Sequence, residues 1–368
     1  MSLFKHLITL SLIIGASTAG AFADNNYVYH DMSDMPLYGT LAPDASEKYT
    51  RLPDSLKSKI RPDLWELGQH SAGLAIRFRT ASPNIVAKWH SRIKADMNHM
   101  TATGIRGLDV YTLDDKNNWT FMNSCRPEFY KHNSETLVMG DMEPKMREYL
   151  LYLSLYDGVD SLYIGTDSAY TVLPPAVDLP RKGKPVVMYG TSILQGGCAT
   201  RPGMAHTNIL ERMLQREVVN LGFSGNGRLD AEIAEVIAGN DASIIVIDPL
   251  PNVSIERLDE AMPEFIRIIR EKQPNTPIVL VETPLFPLSR FKKKDFDHLT
   301  NQNVHLNAIY KSLKDKGDKN IYIFGNKAIL NGDTEATVDN YHFTDTGFRI
   351  FAEGMYPMLK KLLDKQGL

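Results

Sequence analysis

At 368 residues, 43% hydrophobic and 23% charged, the chain can form two domains with buried cores, and its composition excludes disordered, collagen-like and coiled-coil proteins. A formal net charge of −3 leaves no basic footprint for nucleic acid or for anionic lipid. Two cysteines, Cys125 and Cys198, make no disulfide framework, and no Cys/His run has zinc-ligand spacing, so no metal site is expected from them.

The chain begins with the pattern of an export signal. Lys5 and His6 precede an apolar run over residues 7–14, and small residues lead to Ala21-Phe22-Ala23. This pattern predicts a cleavable segment over residues 1–23, cut after Ala23, and a periplasmic or secreted protein. The run is too short to cross ~30 Å of hydrocarbon, so no stable membrane anchor is expected. Loss of Lys5 with the segment would move the formal charge from −3 to −4.

Residues 24–180 read as β-rich. Apolar and polar residues alternate over 73–79, 85–89, 108–111, 119–121 and 147–153, and turn residues such as Asp157-Gly158 separate the runs. Many short strands at regular spacing predict a β-sandwich. The Pro-, Lys- and Arg-rich stretch 172–185 reads as the linker that follows. Cys125 and Cys198 then fall in different domains.

The pattern changes over 181–368. Short β-branched runs lie at 185–190, 218–221, 243–247, 277–281 and 320–324, with helical periodicity at 231–237, 258–269, 299–313 and 345–365. Alternation of buried strands with helices predicts an α/β fold, a parallel sheet covered by helices on both faces. Ligands of such sheets sit at the carboxyl ends of the strands.

Those ends carry the candidate chemistry. The first strand runs into Gly190-Thr191-Ser192-Ile193, where Ser192 is either a nucleophile or a helix cap. The second runs into Gly222-Phe223-Ser224-Gly225-Asn226, which misses the G-x-S-x-G elbow at its last position. The third runs into Asp248-Pro249-Leu250-Pro251-Asn252. A glycine N–H and an asparagine amide are neutral donors suited to an oxyanion, although turns use the same residues. Before the last helix, Asp339 and His342 stand three apart, so the carboxylate can fix the imidazole tautomer. Lys292-Lys293-Lys294 reads as a solvated turn, and His206 as a helix-surface residue.

Ser192, Gly225, Asn252 and Asp339/His342, in that order and each at a strand end, resemble the four blocks of the SGNH/GDSL hydrolase superfamily. Gly107-Leu108-Asp109-Val110-Tyr111 resembles the G-x-D-L-Y signature of a β domain found ahead of such hydrolases. The resemblance implies a flavodoxin-like three-layer α/β/α hydrolase domain preceded by a jelly-roll-like β-sandwich. It departs from the pattern at Thr191, where an Asp is usual, and in the third block, which lacks Gly-x-Asn-Asp. It also implies a serine esterase needing no cofactor. His342 would take the Ser192 proton and Asp339 would orient His342, with an oxyanion hole from Ser192, Gly225 and Asn252. The implied substrate is a small molecule or glycan carrying short acyl esters, acetyl above all. The alternatives are a lipid acylhydrolase or thioesterase, and a glycan-binding protein without catalysis. Arg201 and Glu282 are candidates to hold substrate.

Overall fold

The structure, a computed structural model, describes residues 26–368, so the export signal expected over 1–23 lies outside the described residues. The N-terminal half runs β1 (Tyr27–Asp31), β2 (Leu37–Tyr38), α1 (Pro62–Gly68), β3 (Ala75–Thr80), β4 (Ile85–Ser91), α2 (Ala102–Arg106) and β5 (Leu108–Leu113). It continues with β6 (Trp119–Cys125), β7 (Asn133–Met139), β8 (Arg147–Tyr152) and β9 (Val159–Asp167). Two antiparallel sheets result, ordered β1-β9-β4-β7 and β2-β3-β8-β5-β6. Alternation decides which side chains they enclose. Ile76 and Phe78 of β3, Val110 of β5 and Ile164 of β9 face one shared core, while Ala75 and Tyr111 turn to the other face of their sheet.

The C-terminal half runs β10 (Arg181–Gly190), α3 (Ser192–Gln195), α4 (His206–Leu214), β11 (Arg216–Gly222), α5 (Ala231–Ala238), β12 (Ile244–Asp248) and α6 (Ile255–Lys272). Then come β13 (Ile278–Val281), α7 (Lys293–Asp315), β14 (Ile321–Phe324), α8 (Lys327–Leu330) and α9 (Asp345–Asp364). Its five strands are parallel, in the order β11-β10-β12-β13-β14. Met188, Val246 and Val281 point to the face covered by α4 and α9, whereas Val187, Ile247 and Leu280 point to the face covered by α5 and α6. Burying each such side chain contributes about 1.5–3 kcal/mol, which is why these runs are largely apolar, with buried polar exceptions such as Glu217 and Asn220 in β11 and Asp248 at the end of β12. The fold is thus the flavodoxin-like three-layer α/β/α arrangement behind a β-sandwich. Its topological switch point lies between the carboxyl ends of β10 and β12.

Three local readings change. The predicted linker ends early, because Arg181 already pairs with Arg216 and opens β10. Lys293 starts α7 rather than a turn, and pairs with Asp297 one helical turn on. His206 is not on the surface: it opens α4 fully buried, its ring stacked on Phe348.

Both cysteines are buried and free. No helix among the described residues is long and apolar enough to cross a membrane.

Candidate active site

Ser192 is the first residue of α3, directly after β10. The capping role belongs to its neighbour: the Thr191 hydroxyl accepts the N–H of Ile193, leaving the Ser192 side chain for other work. Ser192 is 8% exposed, enough to meet a ligand but not to be solvated. Its Oγ lies 2.9 Å from His342 Nε2, and His342 Nδ1 lies 2.7 Å from Asp339 Oδ2.

The loop holding Asp339 and His342 is fixed by its own backbone. Thr337 bridges Phe343, Val338 N–H donates to the His342 carbonyl, and Asn340 takes a left-handed φ of +72° to close the turn. Asp339 Oδ1 accepts the N–H groups of Tyr341 (3.1 Å) and His342 (2.8 Å), while Oδ2 takes the ring. Burial pushes the Asp339 carboxyl upward, but the bonds from His342 and Tyr341 outweigh it and hold the group below its usual range. An ionised Asp339 makes Nδ1 the donor, so Nε2 presents its lone pair to Ser192. The arrangement can move a proton off the hydroxyl.

Three unspent donors face the same end of the sheet. The N–H of Ser192, at a helix start, and that of Gly225, with φ +66°, make no hydrogen bond among the described residues. Asn252 ends a 3-10 turn after β12, and its Oδ1 accepts Gly227 N–H at 3.3 Å, while its Nδ2 makes no hydrogen bond among the described residues. Gly225 and Asn252 line a cleft of about 510 Å³ with Val253, Phe286, His298 and Tyr341. A larger hollow of about 770 Å³ lies beside α6 and the turn after α7, at the opposite end of the sheet and away from Ser192.

The β-sandwich half builds part of this site, which the strand-end argument did not anticipate. Gln195 Oε1 accepts the N–H of Ser224, and its Nε2 meets Leu155 O and His70 Nδ1. Burial and the nearby Arg51 and Arg92 push the His70 ring down to about 3, so it stays neutral and can accept. Tyr156 donates its hydroxyl to the Ser192 carbonyl at 3.1 Å. Arg51, fully buried, donates to the carbonyls of Asn220 and Gly222 beneath the Gly225 loop. Nothing in local sequence pattern marks Arg51, His70 or Tyr156, because the partners they meet at the site, Asn220, Gly222, Gln195 and Ser192, are over thirty residues away.

Arg201 and Glu282 have partners inside the protein. Arg201 donates to Asp109 Oδ2 at 2.6 Å and to the Tyr111 hydroxyl at 2.8 Å, and its guanidinium lies over the Phe121 ring. Asp109 Oδ2 also accepts Gly203 N–H. The Asp and Tyr of the G-x-D-L-Y stretch therefore clasp the loop that follows the candidate nucleophile. Glu282 accepts from the Asn307 amide and from Asn326 N–H, joining the end of β13 to α7 and to the loop after β14.

Two family models match: that of the GDSL-like lipase/acylhydrolase family over residues 183–360, and that of the N-terminus of the SGNH-hydrolase type of esterase over 26–172. A crystal structure described as a GDSL-like lipase from Bacteroides ovatus is 32% identical, covers 92% of this chain and 98% of its own, and superposes with a TM-score of 0.87. The chain belongs to the GDSL-like lipase/acylhydrolase family. Members of this ester-hydrolysing family act on acylated substrates. Two further structures share the fold. The salicylyl-acyltransferase SsfX3 of a tetracycline biosynthetic pathway is 16% identical over 93% of this chain and 98% of its own, with a TM-score of 0.73. A family two carbohydrate esterase from Cellvibrio japonicus is 12% identical over 92% and 98%, with a TM-score of 0.56. No curated protein matches the chain.

Proposed function

We propose that this family member is an exported serine esterase that removes short acyl groups, acetyl above all, from carbohydrates through an acyl-enzyme. The observation that carries the reading is the unbroken chain Ser192–His342–Asp339, with bonds of 2.9 and 2.7 Å. As Ser192 Oγ attacks the ester carbonyl, its proton passes to His342 Nε2. Asp339 keeps the ring oriented and stabilises its charged form. The developing oxyanion is met by the N–H groups of Ser192 and Gly225 and by the Asn252 amide. His342 then protonates the departing alcohol, and water cleaves the acyl-enzyme through the same base. In this reading residues 24–180 are the accessory domain and 181–368 the catalytic domain, while 1–23 direct export. Arg201 and Glu282 hold loops rather than substrate.

The polar side chains lining the cleft beside Asn252, among them Ser254, Asp295 and His298, support a hydroxylated substrate, and the exposed ring of Tyr341 offers a surface for a sugar face. The structurally similar carbohydrate esterases fit this choice. An intact proton path argues against a binding protein with a dead site.

One observation favours the lipid acylhydrolase: Leu285, Phe291 and Phe296 are exposed on the segment that borders the cleft, Phe291 by 85%. Hydrolysis of p-nitrophenyl acetate, butyrate and octanoate, together with acetyl release from acetylated polysaccharides, separates the readings. The proposal expects acetate to be fastest and acetyl to be released from at least one glycan. A preference for octanoate with no acetyl release would replace it by the lipid reading.

A further inference from the structure

Three side chains far apart in sequence meet beside Ser192. His99 comes from the loop between β4 and α2, Cys198 from the turn after α3, and His342 from the loop before α9. One ligand atom of each lies within 4.8 Å of the other two. The His99 and His342 rings are tilted against each other with centroids 5.7 Å apart. His99 Nδ1 meets the side chain of its neighbour Asn98 at 3.1 Å, and its Nε2 has no hydrogen-bond partner among the described residues. Cys198 sits buried and free at a φ of +78°, a conformation uncommon for a residue with a Cβ.

Two imidazoles and a thiol are a ligand set for zinc and similar borderline divalent ions, and three protein ligands leave a fourth position open. His342 is already prepared as a ligand. Asp339 holds its Nδ1, as carboxylates commonly do for metal-bound histidines, and this leaves Nε2 as the coordinating atom. That nitrogen is the one Ser192 uses.

We propose that His99, Cys198 and His342 form an inhibitory site for zinc or a like divalent ion, which occupies the His342 lone pair that the Ser192 proton needs. The inhibitory consequence rests on the serine-esterase reading; the binding itself does not. Metal–nitrogen and metal–sulfur bonds of about 2.0 and 2.3 Å put tetrahedral ligand atoms roughly 3.5 Å apart, so the cluster must close by about 1 Å. His99 can supply that movement, since among the described residues its ring makes a hydrogen bond only to the adjacent Asn98. Burial and the nearby Asp339 push the Cys198 thiol up to about 12, so the free protein carries a thiol. The incoming ion displaces that proton to solvent, and Ser192 keeps its own. The site takes one ligand from the β-sandwich half and two from the hydrolase half, which is why no run of sequence has its spacing.

The test uses the full chain freed of metal, with Zn²⁺ binding followed by calorimetry and Co²⁺ binding by absorbance. We expect one Zn²⁺ per chain and a thiolate-to-cobalt charge-transfer band that Cys198→Ser abolishes. His99→Ala and Cys198→Ser should each weaken Zn²⁺ at least about tenfold and relieve Zn²⁺ inhibition of p-nitrophenyl acetate hydrolysis by a similar factor, with the metal-free rate unchanged. Absence of the band, or equal Zn²⁺ affinity in wild type and both variants, would overturn the site. If the protein hydrolysed no ester, the cobalt band would still report the site, so the two failures remain distinct.

Discussion

Asp339 divides its two oxygens between the ring and the backbone of the histidine three residues on, so one carboxylate sets both the tautomer and the position of His342. Asp339→Asn keeps the shape but can offer Nδ1 an N–H, which favours the tautomer with its proton on Nε2, facing Ser192. The expected loss in kcat is up to ~10⁴, read on a short p-nitrophenyl ester with unchanged circular dichroism. A near-normal rate would send the orienting role to another acceptor. In the proposed mechanism Asn252 acts through one amide. With its Oδ1 tied to Gly227, Asn252→Ala should lower kcat by ~10²–10³ and leave KM nearly constant. A change confined to KM would make Asn252 a substrate-binding residue. Ser192 and Asn252 were legible in sequence because they follow the ends of β10 and β12, and Asp339 and His342 because they stand three apart before a helix; the latter pair is not at a strand end, since α8 separates it from β14. The cluster of His99 and Cys198 with His342 was not legible, because no periodicity joins residues of different sheets and loops.

The elements of the parallel sheet were also legible, since its buried strands are rich in β-branched apolar residues and their helices carry one apolar face. Their ends were less so. The apolar periodicity of α6 begins at Leu258, but the helix begins at Ile255 because the Ser254 hydroxyl caps it through Arg257 N–H. The inner face of α4 was harder to read because it is partly polar: His206, Thr207, Asn208 and Glu211 are all buried there beside Ile209 and Leu210. The loop between α3 and α4 is held by parts distant in sequence. Asp109 and Tyr111 hold Arg201, the hydroxyls of Thr101 and Thr103 donate to the Thr200 carbonyl, and Asp345 at the start of α9 accepts from Thr200. Arg201→Ala leaves the fully buried Asp109 carboxylate without its cation and should cost about 3 kcal/mol of stability. Combined with Asp109→Ala, the loss should be much less than the sum of the two single losses, since either change already breaks the clasp. Urea unfolding of the four proteins measures this. Additive losses, or a raised KM at constant stability for Arg201→Ala, would restore Arg201 as a substrate ligand.

Across the whole molecule, the two halves share one core: Leu155, Tyr156, Met100 and Ile105 pack in the same cluster as Ile193 and Leu194 of α3. The sequence pattern separates these halves well but says nothing of the surface between them, because apolar residues there follow the period of their own element. Burial on this scale also sets a pH dependence. Glu211 is fully buried in α4, where its carboxyl is pushed from 4.5 up to about 8 by desolvation, despite bonds from Val218 N–H and the Tyr152 hydroxyl. The folded protein therefore keeps a proton that the unfolded chain releases near 4.5, so stability falls as pH rises between about 4.5 and 8. His206, pushed down to about 3 by burial, has the opposite sign, losing stability as pH falls from 6.5. Between pH 6.5 and 8 the Glu211 slope stands without that opposition. Glu211→Gln should raise stability at pH 8 by on the order of 3 kcal/mol and flatten the decline, seen as urea midpoints at the two pH values. An equal decline in both proteins would remove Glu211 as its source. Covalent trapping tests the role of Ser192 as nucleophile most directly. Reaction with a fluorophosphonate, followed by peptide mass spectrometry and an ester assay, should place one adduct per chain on Ser192. Ser192→Ala should take up no label and hydrolyse no ester while melting at the wild-type temperature. An adduct on another residue, or a folded Ser192→Ala that keeps wild-type turnover, would contradict the account.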